Sequence, residues 1–91
     1  MSEKLELFYM PYCPFCKKVT RFLKENSIEE EVDLKNINKD SEAHEKLKKT
    51  GGEDQVPCLF IDGEPMYESD DIIEWLKENK VELKYIFHIC F

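Results

Sequence analysis

Tyr12-Cys13-Pro14-Phe15-Cys16-Lys17 is the stretch on which the reading of the whole chain turns. It stands between an apolar run, Leu5-Glu6-Leu7-Phe8-Tyr9-Met10, and a segment in which Phe15, Val19, Phe22 and Leu23 recur at helical spacing. Lys17, Lys18, Arg21, Lys24 and Glu25 fill the other face of that segment. A strand therefore leads into a helix through the two cysteines. Three positions apart across a first helical turn, two cysteines can close a small disulfide ring and open it again, which makes them a candidate redox dithiol. The two thiols are not equivalent. Cys13 falls at the N-cap, where unpaired backbone N–H groups and the positive end of the helix dipole favour a thiolate. Pro14 then sits at N1, where its missing N–H costs nothing, and Lys17 and Lys18 add positive charge one turn on. Cys16, inside the first turn, is the expected resolving thiol.

Half of a zinc site also reads C-x-x-C. The other cysteines, Cys58 and Cys90, are far apart, and His44 and His88 fall at no ligand spacing with them, so no metal site is expected. With 91 residues the chain makes one domain and can bury a single core without disulfide staples. Its formal charge of −7 argues against nucleic acid or an anionic membrane as the main partner, since both would repel it. Met1-Ser2-Glu3-Lys4-Leu5-Glu6 has neither a basic n-region nor a long apolar one. No secretory signal is expected, and the expected location is cytoplasmic, where cysteines are more often catalytic or metal-binding than structural.

Outward from the motif, residues 5–10 read as a strand buried on most of both faces, and residues 14–26 as a helix ended by Asn26-Ser27. Residues 29–34 alternate, with Val32 and Leu34 on one face, as a half-exposed edge strand would. A strand, a helix and a second strand in succession imply a right-handed crossover and a parallel pair. Asp40 or Ser41 caps a second helix running to about residue 49, with Ala43 and Leu47 inward and Thr50-Gly51-Gly52 as its stop. Val56-Pro57-Cys58-Leu59-Phe60-Ile61 reads as a central strand, although Pro57 cannot donate to a ladder. Asp62-Gly63 is a hairpin signal, so residues 64–67 return antiparallel, with Pro65 marking an edge. Ser69-Asp70-Asp71 caps and charges a third helix, in which Trp75 is read as a core residue.

The order β-α-β-α-β-β-α, with C-x-x-C between the first strand and the first helix, resembles the thioredoxin fold and in particular the glutaredoxin family, over about residues 4–79. Cys13-Pro14-Phe15-Cys16 is close to that family's C-P-Y-C, Val56-Pro57 matches its cis-proline dipeptide, and Ser69-Asp70-Asp71 falls where it has its glutathione-binding Cys/Ser-Asp-Asp. The resemblance implies an α/β, thioredoxin-like fold: a four-stranded mixed sheet with helices on both faces. It also implies thiol–disulfide exchange through Cys13 and Cys16, with glutathione as co-substrate and no tightly bound cofactor. The residues expected to hold glutathione are Tyr12, Phe15, Val56, Pro57, Ser69 and Asp70. Val56 would pair through its backbone with an extended ligand, helix-start N–H groups at Ser69 would receive the γ-glutamyl carboxylate, and Asp70 would pair the ammonium. Phe15 is read as part of an apolar rim that meets protein substrates.

One position departs from the family. A lysine usually stands three residues before the first active-site cysteine, and here that residue is Met10, leaving Lys17, Lys49 and Gln55 as replacements. Tyr67-Glu68-Ser69 with Ile72 is also similar to the N-terminal domain of glutathione transferases. The expected partners are glutathione or another low-molecular-weight thiol and disulfide-containing or glutathionylated proteins, with the chain acting as a monomer. Two other readings stay open: a thioredoxin-like reductase recycled by a flavoenzyme, and a carrier of an iron–sulfur cluster held between two subunits, against which Pro14 weighs in this family. The domain is expected to end near residue 80. Beyond it, residues 81–91 form an apolar tail too short to span a bilayer, expected to pack on the domain or form an interface.

Overall fold

The computed structural model of the chain describes residues 4–80; the expected apolar tail lies outside the described residues. Strand β1 (Leu5–Tyr9) is followed by helix α1 (Pro14–Glu25), strand β2 (Asp33–Asn36), helix α2 (Ser41–Lys46), strands β3 (Cys58–Ile61) and β4 (Glu64–Tyr67), and helix α3 (Ser69–Lys80). The four strands form one mixed sheet in the order β2-β1-β3-β4. β1 pairs parallel with β2 and antiparallel with β3, and β3 pairs antiparallel with β4. This is the thioredoxin-like α/β arrangement, with the parallel crossover where the sequence put it.

Because side chains alternate along a strand, each strand feeds two cores. Leu5, Leu7 and Leu59 point to one face, where Val19 and Leu23 of α1 and Ile72 and Leu76 of α3 cover them, and Trp75 packs half-buried against this layer. Phe8, Cys58 and Phe60 point to the other face, beneath Ala43 of α2 and Leu47. On that side the rings of Phe8 and Phe60 lie 4.7 Å apart between centroids. Glu6 shares this face and is nearly buried; its carboxylate is held by Lys46 Nζ at 2.9 Å.

Several boundaries differ from the sequence reading, each for a local reason. α1 ends in a Schellman arrangement: Ile28 N–H reaches Leu23 O, Ser27 N–H reaches Lys24 O, and Ser27 takes φ +57° in the position glycine usually fills. Residues 29–31 then form a single 3-10 turn and not the start of a strand. An extended chain would put Glu30 on the same face as Ile28 and Val32, whereas the turn buries those two and leaves the glutamates outside the core. β2 therefore starts at Asp33, and Leu34 is left 42% exposed on the sheet edge. Asp40 is the cap of α2, its carboxylate accepting from Glu42 N–H and Ala43 N–H. A wider π-helical turn, Leu47–Gly51, carries the chain on to Gly52 at φ +88°. β3 begins at Cys58 because Pro57 has no N–H for the ladder; the Val56-Pro57 peptide bond is cis. α3 begins at Ser69 itself, since Glu68 O accepts the first helical bond, from Ile72 N–H.

Candidate active site

β1 delivers the chain to the rim of the sheet, and Cys13 N–H closes the following turn on Met10 O at 3.2 Å. Cys13 itself is extended (φ −80°, ψ 122°), Pro14 occupies N1, and Cys13 O accepts Lys17 N–H at 2.9 Å as the first bond of α1. No acidic residue stands in the first turn of α1 itself, so none of the helix's own carboxylates opposes its positive end beside Cys13. Cys13 is half-buried, Cys16 is buried, and both are free thiols. Burial pushes the Cys16 thiol from 9.0 up to about 12; the Met10 N–H, 3.5 Å from its sulfur, acts the other way, and the neighbouring Cys13 raises it further. The two sulfurs thus differ in access, and the buried one holds its proton at neutral pH.

Next to the start of α1 is a recess of about 160 Å³ lined by Phe15, Gln55, Val56, Pro57, Glu68, Ser69 and Asp70. It brings together five of the six residues that the sequence offered for glutathione, Phe15, Val56, Pro57, Ser69 and Asp70, although they come from three separate segments. Tyr12, 82% exposed beside Cys13, is not among its lining residues, and Phe15 is 61% exposed at its mouth. Val56 lies outside the ladder of β3, which starts two residues later. Across the recess, Ser69 and Asp70 occupy the first turn of α3, where backbone N–H groups lack helical partners. Of the three candidate replacements for the lysine absent at position 10, only Gln55 lines this recess; Lys49 pairs with Glu45 at 3.4 Å, and Lys17 lines a different cavity, between α1 and β2.

The structure adds participants that the sequence did not reveal. Lys18 Nζ forms an ion pair with Asp70, joining α1 to α3 at the edge of the recess. Glu68, at φ +78°, carries a carboxylate-bearing residue into the lining on a backbone that L residues rarely adopt. The loop bearing Gln55-Val56-Pro57 is tied down twice: Tyr67 Oη accepts Glu53 N–H at 3.2 Å and donates to Glu53 O at 3.0 Å, and His44 Nε2 meets Asp54 Oδ1 at 2.8 Å. Gly51 makes the first of these ties possible, because a Cβ there would lie 2.6 Å from Tyr67 Oη. Behind the loop, Cys58 is fully buried; its thiol is pushed up to about 11 by burial, with the Tyr67 hydroxyl and the Met66 backbone opposing.

The glutaredoxin family model matches residues 5–66 of the chain. Glutaredoxin 1 of Rickettsia prowazekii is 32% identical over 77 residues, a match covering 84% of this chain and 80% of that protein. Among solved structures, a thioredoxin-like protein aligns with a TM-score of 0.68 at 31% identity, over 82% of this chain and 97% of the other. A delta-class glutathione transferase of Nilaparvata lugens aligns with a TM-score of 0.67 at 25% identity, over 82% of this chain and 35% of that enzyme.

Proposed function

The chain belongs to the glutaredoxin family of thiol–disulfide oxidoreductases, and from that premise we propose that it works as a dithiol member that uses glutathione to reduce glutathione mixed disulfides and protein disulfides. The observation that carries the reading is the pairing of an accessible sulfur, Cys13, at the acid-free start of α1 with a buried one, Cys16, beside a recess of suitable chemistry.

In the first step the Cys13 thiolate attacks the glutathione sulfur of a mixed disulfide. A new S–S bond forms to Cys13 and the protein sulfur leaves as a thiolate, which takes a proton from solvent. A second glutathione, as thiolate, attacks the same glutathione sulfur; glutathione disulfide leaves and Cys13 is regenerated. With a protein disulfide, Cys13 is left bonded to one substrate cysteine. Cys16 then loses its proton to solvent and attacks the Cys13 sulfur, breaking the bond to the substrate cysteine; the substrate leaves as a thiolate that takes up a proton, and two glutathiones reduce the Cys13–Cys16 disulfide, leaving as glutathione disulfide. The burial of Cys16 keeps it from competing with Cys13 for the first attack.

Glutathione in its extended form would pair its backbone with Val56, present its γ-glutamyl carboxylate to the first turn of α3 at Ser69, and place its ammonium against Asp70, after displacing Lys18. Gln55 is the group positioned to meet the glycine carboxylate. Tyr12 and Phe15 form the exposed apolar rim that protein substrates touch. The proposed protein is a cytoplasmic monomer; among the described residues no helix is long and apolar enough to cross a membrane. Turnover of a mixed disulfide with glutathione and glutathione reductase, run beside turnover with thioredoxin reductase, tests the reading. Activity in the second assay alone would replace it with flavoenzyme recycling.

A further inference from the structure

The second flank of α1 carries a cavity that the chemistry above does not use. Cys13, Lys17, Arg21 and Lys24 follow one another at helical spacing, so one stripe of α1 runs from the nucleophile down to the helix C-terminus. Beside that stripe lies an open trough of about 460 Å³ between α1 and β2. Its wall is cationic, with Lys17, Arg21 and Lys24, all exposed; Tyr9 and the exposed Leu34 supply apolar surface; Glu29 is its one carboxylate. Among the described residues none of these three cations is held in an ion pair; Lys4, Lys39, Lys48 and Lys77 also have none but are scattered over separate segments, whereas these three share one helix and one cavity. A run of free positive charge is out of keeping with a chain whose net charge is −7.

We propose that this trough is a docking surface for an acidic segment of a disulfide-bearing protein substrate, laid along α1 away from Cys13. The proposal rests on exchange at Cys13. Leu34 and Tyr9 receive an apolar side chain of the segment, while its carboxylates face Lys17, Arg21 and Lys24. The stripe geometry sets the placement: the reacting cysteine lies at the end of the segment nearest Cys13, and the acidic residues lie along α1 away from it, whichever way the segment runs.

The sign of the effect makes the proposal sharp, because the charge of the whole molecule predicts the opposite preference. A field set by −7 favours basic substrates, and only a local cationic surface reverses it. The test uses the full chain in its reduced form and three disulfide peptides that differ only in the residues flanking the cysteines: glutamates, glutamines or lysines. At low ionic strength the acidic peptide is expected to be reduced about tenfold faster than the neutral one, and the advantage should collapse at high salt. The Arg21→Glu/Lys24→Glu protein should lose this preference while reducing a small uncharged disulfide at the wild-type rate. Lys48→Glu/Lys77→Glu, which changes the net charge equally on exposed residues outside the trough, should keep it. Equal rates for the three peptides, a faster basic peptide, or a preference that survives in Arg21→Glu/Lys24→Glu would overturn the proposal. A cysteine-free acidic peptide gives a readout independent of exchange: its addition should move the amide resonances of residues 17–24 and 33–35, and shifts confined elsewhere would also overturn it. Such shifts in a protein that reduces no disulfide at all would leave the docking surface standing and remove the oxidoreductase reading instead.

Discussion

At the scale of single residues, the chemistry is a difference between two sulfurs three positions apart. Cys13→Ser should abolish every exchange reaction. Cys16→Ser should stop reduction of protein disulfides but preserve deglutathionylation, where free glutathione resolves the intermediate; a Cys13→Ser protein that still deglutathionylates would refute the assignment. Asp70 belongs to the same scale. Its side chain is 81% exposed and already paired with Lys18, so its contact with an ammonium is screened, and Asp70→Ala should raise KM for a glutathione mixed disulfide by only about three- to tenfold. A small non-glutathione disulfide should be unaffected, and an equal loss on both substrates would make Asp70 a helix-start residue with no ligand. The buried thiols also predict how stability depends on pH. Cys16 and Cys58 keep their protons in the folded chain up to about 12 and about 11, against 9.0 ordinarily. Their contribution is fully present below pH 9 and is lost as pH rises through those values, because above pH 9 the unfolded chain releases protons that the folded one retains. Each thiol costs about 1.4 kcal/mol per pH unit in that window. Urea midpoints of the reduced protein should fall more steeply above pH 9 in the wild type than in Cys58→Ala. The deeper burial of Cys16 than of Cys13 was legible in the sequence because an N-cap and its third successor are fixed by local geometry. Lys18–Asp70 was not, since a pair 52 positions apart leaves no periodic trace.

At the scale of elements, the sequence located the four strands and three α-helices of the described residues but not all of their ends, and it read the 3-10 turn at residues 29–31 as strand. Periodicity announces that a segment must bury a face; it does not say how a chain enters that segment. Residues 29–31 show the limit. Alternation from Glu29 to Leu34 suggested one strand, yet the Schellman turn had already placed Ile28 in the core, and only a helical turn could bury Val32 next without dragging Glu30 inward. The loop before β3 is similar: Gly51 and Gly52 read as a helix stop, but Gly51 also makes room for Tyr67. A side chain at Gly51 would push the Tyr67 hydroxyl off both groups of Glu53. Gly51→Ala should therefore cost about 1–2 kcal/mol, the worth of two partly exposed hydrogen bonds. In a Tyr67→Phe background the same substitution should cost much less. A double-mutant cycle by urea denaturation measures the difference, and strict additivity would show that the two positions do not compete for space.

At the scale of the whole molecule, the fold was legible because element order and the parallel crossover leave few topologies open, and because one dithiol, one proline dipeptide and one acidic helix start came in the order that the family uses. The trough beside α1 was not legible. It exists because β2 is an edge strand and α1 does not extend over Leu34, a relation between layers that no single segment encodes. The two cores are fed by alternate residues of the same strands, so neither can melt while the other keeps its packing. Fluorescence of Trp75, which reports on the α1 and α3 side, should unfold together with far-UV circular dichroism and with amide protection in α2. Separate transitions would mean that the sheet does not couple its two faces. The close approach of Gly51 to Tyr67 also leaves a mark beyond this one molecule. In lineages that share the fold, loss of the hydroxyl at 67 should tend to precede the gain of a side chain at 51, so sequences carrying both should be under-represented.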